Sequence, residues 1–354
     1  MRGFYKGHNK QYYVKKCLIN SFKNKDTVPD SLYDKYSLKA PKNFSIIGNP
    51  HETIDYFNTI IDFVGRAKNF VLIRYDLSEI NNITIDAIIY MIAISLNINS
   101  LYNPKFRVLI PDNPSLRELV LSSGIANFFN AGEIEISKNN DYFTIKMGNK
   151  TDVELAQSIC DFTNESLKLD FRDTKFLYDM LIEMMTNTGQ HAYNKTDKIQ
   201  TQWFIFAECN ENKIKYTFID TGLGIPQTMS KHILSINQKD LEKDGFILDI
   251  LNQFSDEESN DTLLLLTGLR GGGFRTRTNK PYRGKGLPEI YDHYKELHKT
   301  SNLKIISGAC LCEFDEKNRE TPIVTELRKK FLGTLFYWEI NKDDLKKGNV
   351  KNEI

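Results

Sequence analysis

Ile214-Lys215-Tyr216-Thr217-Phe218-Ile219-Asp220-Thr221-Gly222-Leu223-Gly224-Ile225-Pro226 is the stretch on which the reading of this chain turns. Its first six residues are β-branched, aromatic and apolar enough to make a strand. The strand then stops at a carboxylate followed by two glycines in alternate positions. Glycines at that spacing let the backbone turn tightly and come close to a flat ring, and Asp220 can accept a hydrogen bond from an exocyclic amine. The layout suits the reading of adenine.

Upstream of it, Asp173 or Thr174 can cap a helix running to about Tyr193, with Phe176, Leu177, Met180, Leu181 and Met184 as its core face. Glu183, Asn187 and His191 fall four residues apart and share one stripe of that helix. Asn187 offers a neutral oxygen to Mg2+, and Glu183, one turn earlier, is placed to polarise a water or hydroxyl. Taken alone, such a stripe is also what an ordinary solvent-facing helix shows. Downstream, Arg283-Gly284-Lys285-Gly286-Leu287-Pro288 opens a helix to about His298 whose free N–H groups suit phosphate. Leu332-Gly333-Thr334-Leu335-Phe336 then begins a late strand that brings the Thr334 hydroxyl toward the same base.

Glu-x3-Asn-x3-His-Ala, Asp-x-Gly-x-Gly-Ile-Pro, Gly-x-Gly-Leu and Gly-Thr, in that order over about 160 residues, resemble the GHKL ATPase superfamily of gyrase, the large heat-shock chaperones, histidine kinases and mismatch-repair ATPases. The resemblance implies a Bergerat-type α/β sandwich with ATP and Mg2+ as cofactors. Carried over position by position, it makes Asn187 the magnesium ligand and Asp220 the partner of the adenine amine, with Thr334 supporting the base through water. Gly222 and Gly224 would border the base, Gly284 and Gly286 would contact the phosphates within the box from Arg283 through Lys285 to Leu287, His191 belongs to the nucleotide box, and Glu183 takes the general-base position. The activity this implies is a magnesium-dependent ATPase switch, whose lid closure regulates docking by the first domain or a second protein. Its alternatives are a serine/threonine kinase of the anti-sigma type and an ATP-binding scaffold without turnover. A sensor histidine kinase fits poorly, because no two-helix phosphoacceptor hairpin precedes the box. The chain also leaves no room for the transducer domain of topoisomerases and mismatch-repair enzymes, and no Gly-x4-Gly-Lys-Ser/Thr loop occurs. The resemblance leaves a homodimer open.

From Gln227 to Arg283 the spacing predicts a long lid. It contains Leu263 to Leu266, three consecutive glycines (Gly271 to Gly273) as a hinge, and Arg270, Arg275 and Arg277, which with Lys285 supply cations for phosphate. The same arginines would also keep a plain surface loop in solution.

The N-terminal half alternates helix-like and strand-like segments from about Phe44, and we divide the chain into an extension (1–43), a first α/β domain (44–150), the nucleotide domain (151–345) and a polar tail (346–354). Within the first domain, Glu52 to Ala67 reads as a helix with Ile54, Phe57, Ile61 and Val64 on one face, and Phe70 to Tyr75 as a buried strand. A second helix covers about Thr84 to Leu96, Phe106 to Ile110 is a strand, and Asn113-Pro114 is a cap and first-turn pair. A short helix around Tyr12 to Phe22 is expected in the extension. The run Phe70 to Ile94 followed by Phe106 to Phe129 resembles the STAS domain of anti-sigma-factor antagonists, which implies a mixed sheet with helices. On that resemblance Asp86 stands where the phosphoacceptor serine would lie. It is then either a fixed charge on a constitutive docking surface or simply a helix-start aspartate.

Composition bounds the rest. Among 354 residues the charges balance to +1, so no global field recruits nucleic acid or an anionic membrane. With 40% hydrophobic and 26% charged residues the chain has the means to fold. No apolar run reaches the roughly 18 residues of a membrane span, and no secretory signal is evident. Five cysteines without a CxxC pair point to a reducing cytoplasm, with Cys310 and Cys312 packed on one strand face rather than holding metal.

Overall fold

A computed structural model describes residues 33–67, 70–102, 104–123, 125, 142–191, 201–210, 212–235, 260–269, 286–296, 302–318 and 321–342. The expected helix at Tyr12 to Phe22, the lid glycines and arginines, and Arg283, Gly284 and Lys285 lie outside these residues. The fold class is α/β, as expected.

The N-terminal unit is built on strands β1 (Tyr33–Lys39), β3 (Phe70–Asp76) and β5 (Lys105–Leu109), ordered β1-β3-β5 with both pairings parallel. A mixed sheet was expected here; the described pairs of this sheet are all parallel. Each crossover is a helix, α1 (Pro50–Arg66) and α2 (Ile85–Tyr102), followed by α3 (Pro114–Ser122). A small parallel pair, β2 (Asn43–Phe44) and β4 (Asn82–Ile83), closes the start of both crossovers. On α1 the buried stripe is Ile54, Phe57, Ile60 and Val64; Ile61 is only half-buried, one position off the expected face. Asn113 caps α3 as expected, its side-chain oxygen accepting from the N–H groups of Ser115 at 3.0 Å and Leu116 at 3.2 Å.

Beyond it lies a five-stranded antiparallel sheet ordered β6-β7-β8-β10-β9. Its strands are β6 (Tyr142–Gly148), β7 (Trp203–Asn210), β8 (Lys213–Asp220), β9 (Leu303–Phe314) and β10 (Ile323–Asn341). β6 precedes Lys150, where the first domain was expected to end, yet it pairs with β7 and belongs to the second sheet. β10 begins at Ile323, nine residues ahead of the expected start at Leu332.

Strand alternation gives this sheet two apolar faces. Trp203, Ile205, Tyr216, Phe218, Phe336 and Trp338 pack against α4 (Val153–Leu167), α5 (Lys175–His191), α6 (Ile225–Ser235), α7 (Asn260–Leu269) and α8 (Gly286–Glu296). Phe204, Phe206, Ile219, Ile306, Leu335 and Tyr337 face the other way, into one core with α1 and α2. The two units therefore share a hydrophobic core. This explains the composition of α2: Ala87 to Ala93 are all fully buried, because the helix lies between two sheets and has no wet face.

The shared core also decides the fate of Asp86. Its carboxylate is buried and accepts the backbone N–H groups of Ile46 at 2.6 Å and Ile47 at 3.2 Å. Asp86 cannot present a charge to a partner, and the docking surface expected there is corrected to an internal brace between the start of α2 and the β2 loop. Cys310 and Cys312 are buried on β9 with their sulfurs 3.6 Å apart. Among the described residues no helix is long and apolar enough to cross a membrane.

Candidate functional site

Asp220 is the last residue of β8. Its carboxylate accepts the Gly222 N–H at 2.7 Å and is hydrogen-bonded by Thr334, which lies opposite it on β10. Burial pushes the carboxyl up to about 6 despite those hydrogen bonds, while the residue keeps partial solvent contact. A carboxyl raised in this way is suited to proton transfer closer to neutrality than an ordinary aspartate.

Beneath Asp220 the backbone is knotted. Gly333 has φ +99°, and a Cβ on it would stand 1.9 Å from the Asp220 carbonyl oxygen. Gly224 has φ +81°, and its Cβ would meet the Gly333 oxygen and Ser307 Oγ, each at 2.9 Å. Gly224 was expected to make room for a flat ring. The space it leaves is taken by β10 and Ser307, so it serves the crossing of two chain segments. Ser307 Oγ accepts from Ile225 N–H at 2.8 Å, donates to the Gly333 oxygen at 3.1 Å, and lies 3.2 Å from Thr334 Oγ1. Ser307 holds the first residue of α6 to the sheet. No local sequence signal marks it, since its role exists only once β9, β10 and α6 meet.

α5 forms and places Glu183 and Asn187 one turn apart, as expected. Burial first, and then the charges of Glu289 and Asp179, raise the Glu183 carboxyl above its usual range. Glu289 comes from the first turn of α8, so the start of α8 lies beside Glu183. Sequence reasoning missed both neighbours. Asp179 stands four residues before Glu183 on the same stripe, a spacing sufficient to find it. Asn187 follows one turn later with its amide nitrogen buried and unpartnered. His191 closes α5.

The C-terminal half of α5 and Asp220 lie at one end of the sheet. Thr186 Oγ1 is 2.9 Å from Thr151 Oγ1, the adjoining Lys150 oxygen accepts from Trp203 Nε1 at 2.9 Å, and Trp203 pairs with Asp220. α6 and α8 begin close together at the site, because a Cβ on Gly268 of α7 would touch both Ile225 at 3.2 Å and Leu287 at 3.6 Å. Gly286 is the first residue of α8; Arg283, Gly284 and Lys285 are outside the described residues.

The oxygen donors of this corner suit a hard cation. Asn187 has a buried amide end without a protein partner. Glu183 carries an excess of negative neighbours that a cation would relieve. Among the described residues no three His, Cys, Asp or Glu side chains gather as a metal site.

No family model matches the chain. Over 102 residues it is 28% identical to a 2-hydroxy-3-keto-5-methylthiopentenyl-1-phosphate phosphatase of Bacillus cereus (strain AH187), a span covering 29% of this chain and 45% of the relative. The same enzyme of Bacillus thuringiensis (strain Al Hakam) matches with the same identity and coverage. The chain thus spans under half the length of the curated relatives it matches. This similarity points to phosphatases and not to an ATP-binding switch, and it overturns the function expected from the GHKL resemblance, along with its kinase and scaffold alternatives. The physical reason is that residue types and spacings of this kind are shared by many phosphate-handling proteins and do not identify a substrate.

Proposed function

We propose that this protein is a magnesium-dependent hydrolase of phosphate monoesters, acting at the end of the antiparallel sheet where β8, β10, α5 and α8 meet. The observation that carries the reading is the desolvated Asp220 carboxyl at that sheet end, clamped by Thr334 and the Gly222 N–H and pushed up to about 6 by burial. The partial similarity to phosphatases supports it.

Each residue then has a task. The first turn of α8 offers free N–H groups to the phosphate oxygens. Asn187 would hold Mg2+, which would supply charge neutralisation at the phosphoryl oxygens when bound. Glu183, raised by burial and by Glu289 and Asp179, takes a proton from the attacking water. Asp220, protonated in part near neutral pH, returns a proton to the departing ester oxygen, so that water and monoester yield alcohol and inorganic phosphate. Thr334 and the Gly222 N–H fix the Asp220 carboxyl, and Ser307 fixes the turn that carries it.

Phosphate release tests this directly. The full chain is incubated with a panel of sugar-like and alkyl phosphate monoesters, and with ATP as comparator, with Mg2+ and with a chelator. Release from monoesters that requires Mg2+ and falls at least 100-fold in Glu183→Gln and Asp220→Asn supports the reading. Release confined to ATP, or monoester release untouched by both substitutions, overturns it.

A further inference from the structure

The N-terminal unit reaches the Asp220 knot through a short stretch of β10. Between Glu326 and Thr334 the pairing of β10 with β9 shifts register twice, so the ladder alone does not fix this backbone. Two side chains of the N-terminal unit hold it. Asn58 Nδ2 of α1 donates to the Lys330 oxygen at 3.2 Å, and the Leu332 N–H donates to the Tyr90 hydroxyl of α2 at 3.1 Å. The Tyr90 ring lies flat on Phe331, with centroids 4.3 Å apart and planes 22° apart, and meets Phe57 edge-on at 4.9 Å. Tyr90 is fully buried and has no freedom to follow β10 if the strand moves.

The residues that follow Leu332 are Gly333 and Thr334. Gly333 is pressed against the Asp220 carbonyl without room for a methyl group, and Thr334 hydrogen-bonds the Asp220 carboxyl. No slack separates the Tyr90 hydroxyl from the Asp220 side chain, although Tyr90 sits on the N-terminal face of the sheet and Asp220, by strand alternation with Phe218, on the other.

We propose that Tyr90 is a positioning residue for Asp220, acting through the backbone from Phe331 to Thr334, so that the N-terminal unit sets the geometry of a site on the opposite face of the sheet. This rests on the reading of Asp220 as a reacting carboxyl, and it is tested without turnover. In the full chain, Tyr90→Phe keeps the ring contacts and removes only the hydroxyl. Tyr75→Phe is the control, since it removes another buried hydroxyl of the same unit, one that bonds Ser95 at 2.7 Å. The readouts are hydrogen–deuterium exchange by segment and the carboxyl 13C resonance of Asp220, assigned by its loss in Asp220→Asn.

In Tyr90→Phe we expect exchange in 331–335 and 219–224 to rise about tenfold, with that in α4 and α5 unchanged, and the Asp220 resonance to move. Asn58→Ala, which removes the second tie from the surface, should move both readouts in the same direction by less. Tyr75→Phe should leave both as in the wild type. If Tyr90→Phe behaves like Tyr75→Phe, or if both raise exchange across the whole chain alike with the Asp220 resonance in place, Tyr90 is a core residue only and the proposal is wrong. Absence of monoester hydrolysis in the wild type would remove the functional reading and leave these two readouts intact.

Discussion

Two aspartates at the ends of two different elements carry raised carboxyls, and they have opposite fates. Asp86, at the start of α2, and Asp220, at the end of β8, are both lifted above the ordinary carboxylate range, with burial as the first cause in each. Asp86 is enclosed by the core that the two units share and spends its oxygen on the Ile46 and Ile47 N–H groups. Asp220 lies where the sheet ends, on a residue that is only partly buried, with the start of α6 close by. A desolvated carboxyl is therefore a brace when backbone donors close over it, and a candidate for chemistry when one side stays open to a ligand.

The largest effect should come from the knot under Asp220. Gly333→Ala must place a methyl group on the Asp220 carbonyl at a φ that alanine rarely adopts. We expect a loss on the order of 4 kcal/mol or more, read as failure to fold or a collapse of the urea midpoint. Next is Asp220→Asn, which should cut monoester turnover by about 10²- to 10⁴-fold. The same substitution should stabilise the protein. A carboxyl raised in the folded state contributes its stability in full below its ordinary value of 3.8, and that stability is lost as pH rises through about 6. Above that pH the charged form costs up to about 3 kcal/mol, which asparagine avoids. Thermal melts at pH 7.5 and pH 4 should show a gain at the higher pH that is absent at the lower; an equal gain at both would remove Asp220 from its special place in the comparison.

Asp86 should answer differently. Asp86→Ala leaves the Ile46 and Ile47 N–H groups buried without an acceptor and should cost about 2–3 kcal/mol, whereas Asp86→Asn keeps an acceptor and should cost much less. Neither should change turnover per folded molecule. A turnover defect in the folded asparagine variant would mean that the brace also reaches the site. The smallest effect tests the shared core itself. Asn113→Ala removes the α3 cap and should cost about 1 kcal/mol. If the two units melt as one body, calorimetry shows a single transition moved by a few degrees; two transitions with only one displaced would separate them.

Much of the local structure was legible in the sequence because it depends on nearby residues. The Asn113-Pro114 cap, helix α5, the strand ending at Asp220 and the start of α8 follow from period, capping and proline placement. Asp86 misled for a physical reason: a short polar residue at a helix start looks the same whether solvent or another sheet lies beyond it. Gly224 misled likewise, since a glycine needed for close approach does not state what approaches. The function expected from the ordered motifs failed at the same level: short motifs fix residue types at a site and not its substrate, and the partial similarity found is to phosphatases.

The amino-acid order by itself determined the α/β class, the identities of the helices and strands that flank the site, and the carboxylates and amide placed there, for each of these is set by spacing along a single element. Only the tertiary structure decided that β6 joins the second sheet, that α2 is buried between two sheets, that Ser307 and Gly333 lock the Asp220 turn, and that Tyr90 reaches that turn from the other unit. These depend on contacts between segments far apart in the chain, where register, burial and close approach arise from packing and leave no mark in any one stretch of sequence.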